Sequence, residues 1–206
     1  FALMNYKQAV NWADDIKAAA VYQRSGVWAC SGQMVNNTAG DFTPYFLTAN
    51  HCGISSGNAA TMVVYWNFES PVCGMLGGGS LADNQTGAFF RATYASSDFC
   101  LVELDEDPDP DFGVYFAGWD NTSTAATSIT GIHHPSTDEK AISFDNAAPT
   151  VTTYLGDTSP GDGTHWRIGV WDDGTTEPGS SGSGIWNQNH RLVGQLHGGY
   201  ASCTVL

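Results

Sequence analysis

Residues 174–186 read GTTEPGSSGSGIW, which crowds four glycines and three serines into a short span. Such a stretch is either a polar linker or a tight turn whose small residues let the backbone meet a reacting group. Taken as an elbow, Gly179 lets the chain turn, Gly182 removes side-chain bulk and Ser181 between them is lifted into the open. The N–H groups of Gly179 and Ser181 could then point at one spot, where they would stabilise an oxyanion. Gly/Ser runs are more often plain loops, so the elbow reading needs a base elsewhere in the chain.

A candidate base lies in YFLTANHCG (45–53), where an apolar strand runs into a turn bearing His51 beside Cys52. Tying Cys52 to Cys30 would pin the strand end that carries the imidazole, a group suited to accepting a serine proton near neutrality. The bland alternative is a surface histidine. Asp98, in YASSDFCLVEL (94–104), sits at the lip of an apolar strand, where a carboxylate could hold the His51 ring in the tautomer a base needs. Asp83 and Asp105 are less well framed, and an ordinary strand-capping Asp98 is the alternative.

The composition excludes several classes. With 206 residues, 42% hydrophobic and 12% aromatic, the chain can bury one sizeable core or two small ones. Its 21 acidic residues against 7 Lys plus Arg, a net charge of −14, would be repelled by phosphate backbones and anionic membranes, so neither nucleic acid nor membrane is expected as a partner. The opening FALMNYKQAVNWADD has no basic start followed by an apolar run, and no stretch is long and apolar enough to span a bilayer, which reads as a processed, soluble chain. Cysteines at 30, 52, 73, 100 and 203 follow no metal-ligand rhythm, so disulfides and an oxidising, extracellular location are expected, with at least one thiol free or bonded outside the chain.

Residues 6–19 carry helical spacing and predict one short helix. Beyond it, VWACSGQMV, PYFLTA, TMVVYWNF, GAFFRATY, FCLVEL, VYFAGW, SITGIHH, THWRIGVW, SGSGIW and RLVGQLHGG read as short strands separated by turn residues, which predicts an all-β barrel or sandwich. The acidic loop DEDPDPD (105–111), whose prolines cannot occupy a central strand, marks a boundary between two β lobes, residues 1–110 and 111–206.

The candidates occur in the order His, Asp, Ser. LTANHCG, SSDFCLVEL and TTEPGSSGSG followed by LVGQLHGG resemble the active-site segments of chymotrypsin-like serine proteases, and most closely the bacterial lysyl endopeptidases. The likeness extends through CSGQMVNNT, VVYWNF, FAGWD, GIHHPSTDEKAIS and ASC, covering the chain from about Val21 onward. It implies two six-stranded antiparallel barrels, the second lacking its closing strand, and a secreted endopeptidase acting on proteins or peptides after lysine without a cofactor or metal. It assigns His51 as general base, Asp98 as its orienter, Ser181 as nucleophile and the Gly179 and Ser181 N–H groups as oxyanion hole. The segment Leu196, His197, Gly198 and Gly199 would line the specificity pocket, with His197 flanking substrate, and Cys30 and Cys52 would pair.

Departures accompany the likeness. Relatives carry two earlier cysteines that pair with the positions of Cys73 and Cys203, which implies that Phe1 is not the mature N-terminus and that these two cysteines bond missing segments or a second polypeptide. Cys100 has no cysteine counterpart and is expected to be a free, buried thiol. The lysine-binding acid of relatives would fall beyond Leu206. Tyr154 or Leu155 replaces a tryptophan that stacks beside the pocket histidine, and Gly184 replaces a proline. Two further readings stay open: a protease-shaped binding or adhesion module without activity, and an endopeptidase of shifted preference. His133 and His134 with Asp138 and Glu139 could suggest a metal, and DEDPDPD calcium, but a structural loop and a solvated acidic turn are the simpler readings. The seven tryptophans could line a sugar-binding surface, although in short strands they are more often core.

Overall fold

The computed structural model describes residues 9–72 and 74–203. A 3₁₀ turn (Val10–Trp12) leads into helix α1 (Ala13–Ala18), with Asp14 and Asp15 in its first turn and Lys17 in its last, charges that suit the helix dipole. The expected helix is thus present but stops at Ala18; residues 6–8 lie outside the described residues. The chain passes directly into strand β1 (Ala19–Arg24), an alanine-rich start that reads as a continuing helix in the sequence. Pairing overrides propensity there, because β1 is bonded on one side to β2 (Val27–Val35) and on the other to β4 (Met62–Tyr65).

With β3 (Tyr45–Ala49), β5 (Asn84–Thr86), β6 (Ala88–Tyr94) and β7 (Phe99–Leu104), these strands form an antiparallel sheet in the order β5-β4-β1-β2-β3-β7-β6. The two edge segments are joined through Gly87 alone, at φ 102°. Gly87 donates its N–H to Met62 O at 2.9 Å and accepts from Asp105 N at 3.2 Å, so one strand bent at a glycine pairs with both ends of the sheet and curls it round on itself. The seven segments therefore correspond to the six strands expected of a first barrel. Its interior is packed by Phe46, set edge-on to Tyr22 (5.9 Å) and Trp66 (6.0 Å).

Strands β8 (Ile129–His133), β9 (Ala141–Asp145), β12 (Gly184–Asn187) and β13 (Leu192–Gln195) form a second antiparallel sheet in the order β13-β12-β8-β9, while β10 (Thr150–Thr152) and β11 (His165–Arg167) make a separate ribbon. VYFAGW, expected as a strand, instead bridges the two sheets: Ala117 exchanges bonds with Met34 and Asn36, and Gly118 and Asp120 bond to Leu192. Only residues 165–167 of THWRIGVW pair as a strand. Val35, Leu47, Ala117, Ile132, Ile142, Trp186 and Leu192 pack between the sheets, so the candidate site lies over an apolar seam. Trp66 and Trp186 are core, as expected, whereas Trp28 and Trp119 are partly exposed. No helix among the described residues is long and apolar enough to cross a membrane.

Candidate active site

The register of β3 against β7 pairs Ala49 with Phe99, which puts the turn after β3 beside the turn before β7. Asn50 N donates to Asp98 O at 2.7 Å, fixing that adjacency. His51 sits on a single 3₁₀ turn (Asn50–Cys52) and Asp98 holds a left-handed backbone (φ 56°) that short polar side chains tolerate. The Asp98 carboxylate is buried and receives two bonds from one residue: His51 N–H to Oδ1 at 2.8 Å and His51 Nδ1–H to Oδ2 at 2.6 Å. With Nδ1 committed as donor, Nε2 is left as the acceptor nitrogen. Cys30 and Cys52 are joined by a disulfide, so the strand end that carries His51 is tied to β2.

Residues 178–183 form tight turns rather than a loose linker, and the chain enters β12 at Gly184. Gly179 (φ 95°) and Gly182 (φ 80°) hold conformations that disfavour any side chain; a Cβ at Gly179 would strike the Thr137 backbone, and one at Gly182 would strike Thr48 Oγ1 and Ser31 O. Ser180 and Ser183 are buried, while Ser181 between them is part-exposed and lines a cleft with His51. Of the successive amides here, Ser180 N donates to Glu177 O and Gly182 N to Leu196 O. Those of Gly179 and Ser181 have no acceptor among the described residues. The elbow is stitched to the first sheet by Ser31, whose N–H donates to Ser181 O (2.9 Å) and whose hydroxyl donates to Gly179 O (2.8 Å).

A larger cavity of about 470 Å³ opens beside this point, lined by residues 196–199 together with Tyr154, His165, Trp171 and Thr176. Leu196 is held against the elbow, its N–H donating to Ser183 O at 2.8 Å. His197 stacks on Tyr154 with ring centroids 3.6 Å apart, so Tyr154 rather than Leu155 is the aromatic partner. Its other face lies against His51 at 5.5 Å, and Nε2 stands 3.8 Å from Asp98 Oδ2. Asp98 thus faces two imidazoles. Burial pushes the His197 pKa below its ordinary value, opposed by Asp98 and assisted by His165 and His51. Gly198 lies under the Tyr154 hydroxyl, whereas Gly199 has open space around it. The only carboxylate among the described residues lining the cavity is Asp157, which is paired to Arg167 at 2.5 Å.

Sequence reasoning missed several contributors. His165 Nε2 bonds His197 Nδ1 at 2.9 Å and backs that ring from the ribbon. His133 is fully buried between Ser180 Oγ (2.8 Å) and Ser143 Oγ (3.0 Å), locking the residue next to Ser181. His134 bonds Asp138 O, and Glu139 accepts from Gly77 and Gly79, so these four residues serve the local structure rather than converge on one point. One ligand atom each of His51, Asp98 and His197 lie within 4.8 Å of one another, the spacing a metal ion could use, although Asp98 is already committed to His51. Cys100 is buried and free, and burial lifts its pKa to about 11. Cys203 is exposed and free; Cys73 lies outside the described residues.

Comparison with known proteins adds an independent line. The family profile described as lysyl endopeptidase, C-terminal domain, matches residues 4–206. A lysyl endopeptidase of Pseudomonas aeruginosa is 31% identical over 189 residues, 86% of this chain but 38% of its own length, so the chain spans about two fifths of that relative. Among solved structures, a thermostable serine protease, AL20, from an extremophilic microorganism superposes with TM-score 0.66 at 13% identity, over 91% of this chain and 87% of that one. A Glu endopeptidase superposes with TM-score 0.53 at 17% identity, over 90% and 80% respectively. At these identities the structural matches establish the fold, a chymotrypsin-like β architecture.

Proposed function

Because the chain belongs to the lysyl endopeptidase C-terminal-domain family, we propose that it is a secreted serine endopeptidase in which His51, Asp98 and Ser181 form the catalytic triad. The observation that carries this reading is the 2.6 Å bond from His51 Nδ1 to buried Asp98, with Ser181 in the same cleft as the ring. Ser181 Oγ attacks a peptide carbonyl while His51 Nε2 takes its proton, and Asp98 steadies the imidazolium that forms. The developing oxyanion is received by the free N–H groups of Gly179 and Ser181, each worth roughly 10²–10³ in rate by analogy with other oxyanion holes. His51 then protonates the leaving amine, an ester remains on Ser181, and a water activated by His51 releases the acid. Ser181 makes no hydrogen bond to His51 here, in keeping with catalytic contacts that tighten only around substrate.

In this reading residues 1–110 form one lobe carrying His51 and Asp98, and residues 111–206 a second carrying Ser181, with catalysis in the seam. Residues 196–199 receive the acyl half of a protein or peptide substrate. Preference for lysine rests on family membership, because no unpaired carboxylate among the described residues lines the larger cavity. That same observation favours a shifted preference as second reading. The Cys30–Cys52 disulfide supports an oxidising, extracellular setting. A fluorophosphonate should label Ser181, and a fluorogenic panel with lysyl, arginyl, glutamyl and apolar residues before the scissile bond should show lysyl cleavage fastest. Failure of Ser181 to label would end the catalytic reading, and a faster arginyl or apolar substrate would replace the lysine assignment.

A further inference from the structure

Arg24, the last residue of β1, lines the cleft of about 270 Å³ that His51 and Ser181 share; its other walls are Val27, Trp28, Ala29 and the Cys30–Cys52 disulfide. The guanidinium is anchored by one bond, Nη1 donating to Gly53 O at 2.9 Å, and its Nε is buried without an acceptor. Lys17 pairs with Glu69, Arg91 with Glu103 and Arg167 with Asp157, and buried Lys140 donates to Ile16 O. Arg24, like Arg191, has no carboxylate partner among the described residues, although acidic residues outnumber basic ones 21 to 7, and of the two Arg24 is the one that lines the cleft with Ser181. A cation left unpaired in so acidic a chain, beside a candidate nucleophile, is an open site for a carboxylate.

Which carboxylate follows from where the cleft lies. On one side of His51 its ring faces His197 and the larger cavity, which takes the acyl half of a substrate in the reading above. The smaller cleft shares no lining residue with that cavity, and Cys52, the neighbour of His51, is part of its wall. A peptide attacked at Ser181 has to continue past it, and the continuing half is the amine that His51 protonates. Trp28, packed on Tyr65 at 5.0 Å, gives that half an apolar wall. We infer that Arg24 and the cleft beside the Cys30–Cys52 disulfide form a leaving-group subsite that selects an acidic side chain one or two residues after the scissile bond.

The inference rests on the endopeptidase reading, and the experiment separates the two. Internally quenched peptides share one acyl half and carry Glu, Gln or Lys at the first or second position after the bond. The unmodified protein should favour Glu over Gln by roughly three- to tenfold in kcat/KM, the range for a partly solvated charge-assisted bond. Lys should fall below Gln, and the spread should shrink as salt is raised. Arg24→Gln should bring the Glu/Gln ratio to one, and Arg24→Glu should invert the Glu/Lys order, an inversion that a folding defect cannot produce. Equal rates for all three residues, or a Glu preference that survives in Arg24→Gln, would overturn the subsite while leaving the endopeptidase intact. Absence of cleavage of every peptide, with Ser181 unlabelled, would overturn both.

Discussion

Acidification should destabilise this fold by roughly 3 kcal/mol through one side chain, His133. The ring is wholly buried between two serine hydroxyls, and burial pushes its pKa from 6.5 down to about 4. An unfolded chain takes up that proton near pH 6.5, so between there and about pH 4 the unfolded state binds more protons than the folded one. Stability from this group is therefore whole above about pH 6.5, is lost progressively as the pH falls, and is gone once it has fallen through about 4. The gap between the two values, at about 1.4 kcal/mol per unit, gives the figure of roughly 3 kcal/mol. His134 is driven the same way by burial, so the loss in the unmodified chain is larger still. The contribution of His133 is isolated by comparison with His133→Asn, whose amide can still bond a hydroxyl on each side but gains no proton. Urea unfolding of both proteins, in a Ser181→Ala background that prevents self-digestion, at pH 7 and pH 4.5, where most of the shift is already felt, should show a pH loss smaller by roughly 2 kcal/mol in His133→Asn. Equal pH losses in the two proteins would refute the argument.

Three other outcomes are expected. Asp98→Asn removes the acceptor of two His51 bonds and should lower kcat by roughly 10³–10⁴ with KM little changed, measured on a lysyl fluorogenic peptide. Gly182→Ala places a Cβ against Thr48 Oγ1 and Ser31 O at φ 80° and should destabilise by at least about 1–3 kcal/mol in denaturant melts; a neutral result would mean the elbow is not held as described. Iodoacetamide should spare Cys100 in the folded protein and modify it only after denaturation, since the thiol is inaccessible and its pKa is raised to about 11, which peptide mass mapping would check.

The residues that were legible in the sequence share a physical property: their placement is decided by chain neighbours. His51 follows an apolar strand by one turn, Asp98 precedes one, and Ser181 lies between glycines at positive φ, so local turn chemistry announces each of them. Four strands escaped notice, β1, β5, β9 and β10; of these β1 and the short β5 lack β-branched alternation and exist because other strands pair with them, while β9 and β10 are short runs that do not stand out from the loops around them. β8 is buried along its whole length, so His133 carries no alternating pattern to separate a packed ring from a surface ligand, and its adjacency to His134, Asp138 and Glu139 invites a metal reading instead. Arg24 is the extreme case. Near it in sequence stand only a hairpin turn and a strand end; the cleft arises when Cys52 and Ser181, far along the chain, close around it. Ser31 holds Gly179 across 148 residues in the same manner. The candidate site was therefore readable where it depends on the conformation of a few consecutive residues, while the groups that surround and brace it gain their meaning from the seam between the two sheets, which only the folded register creates.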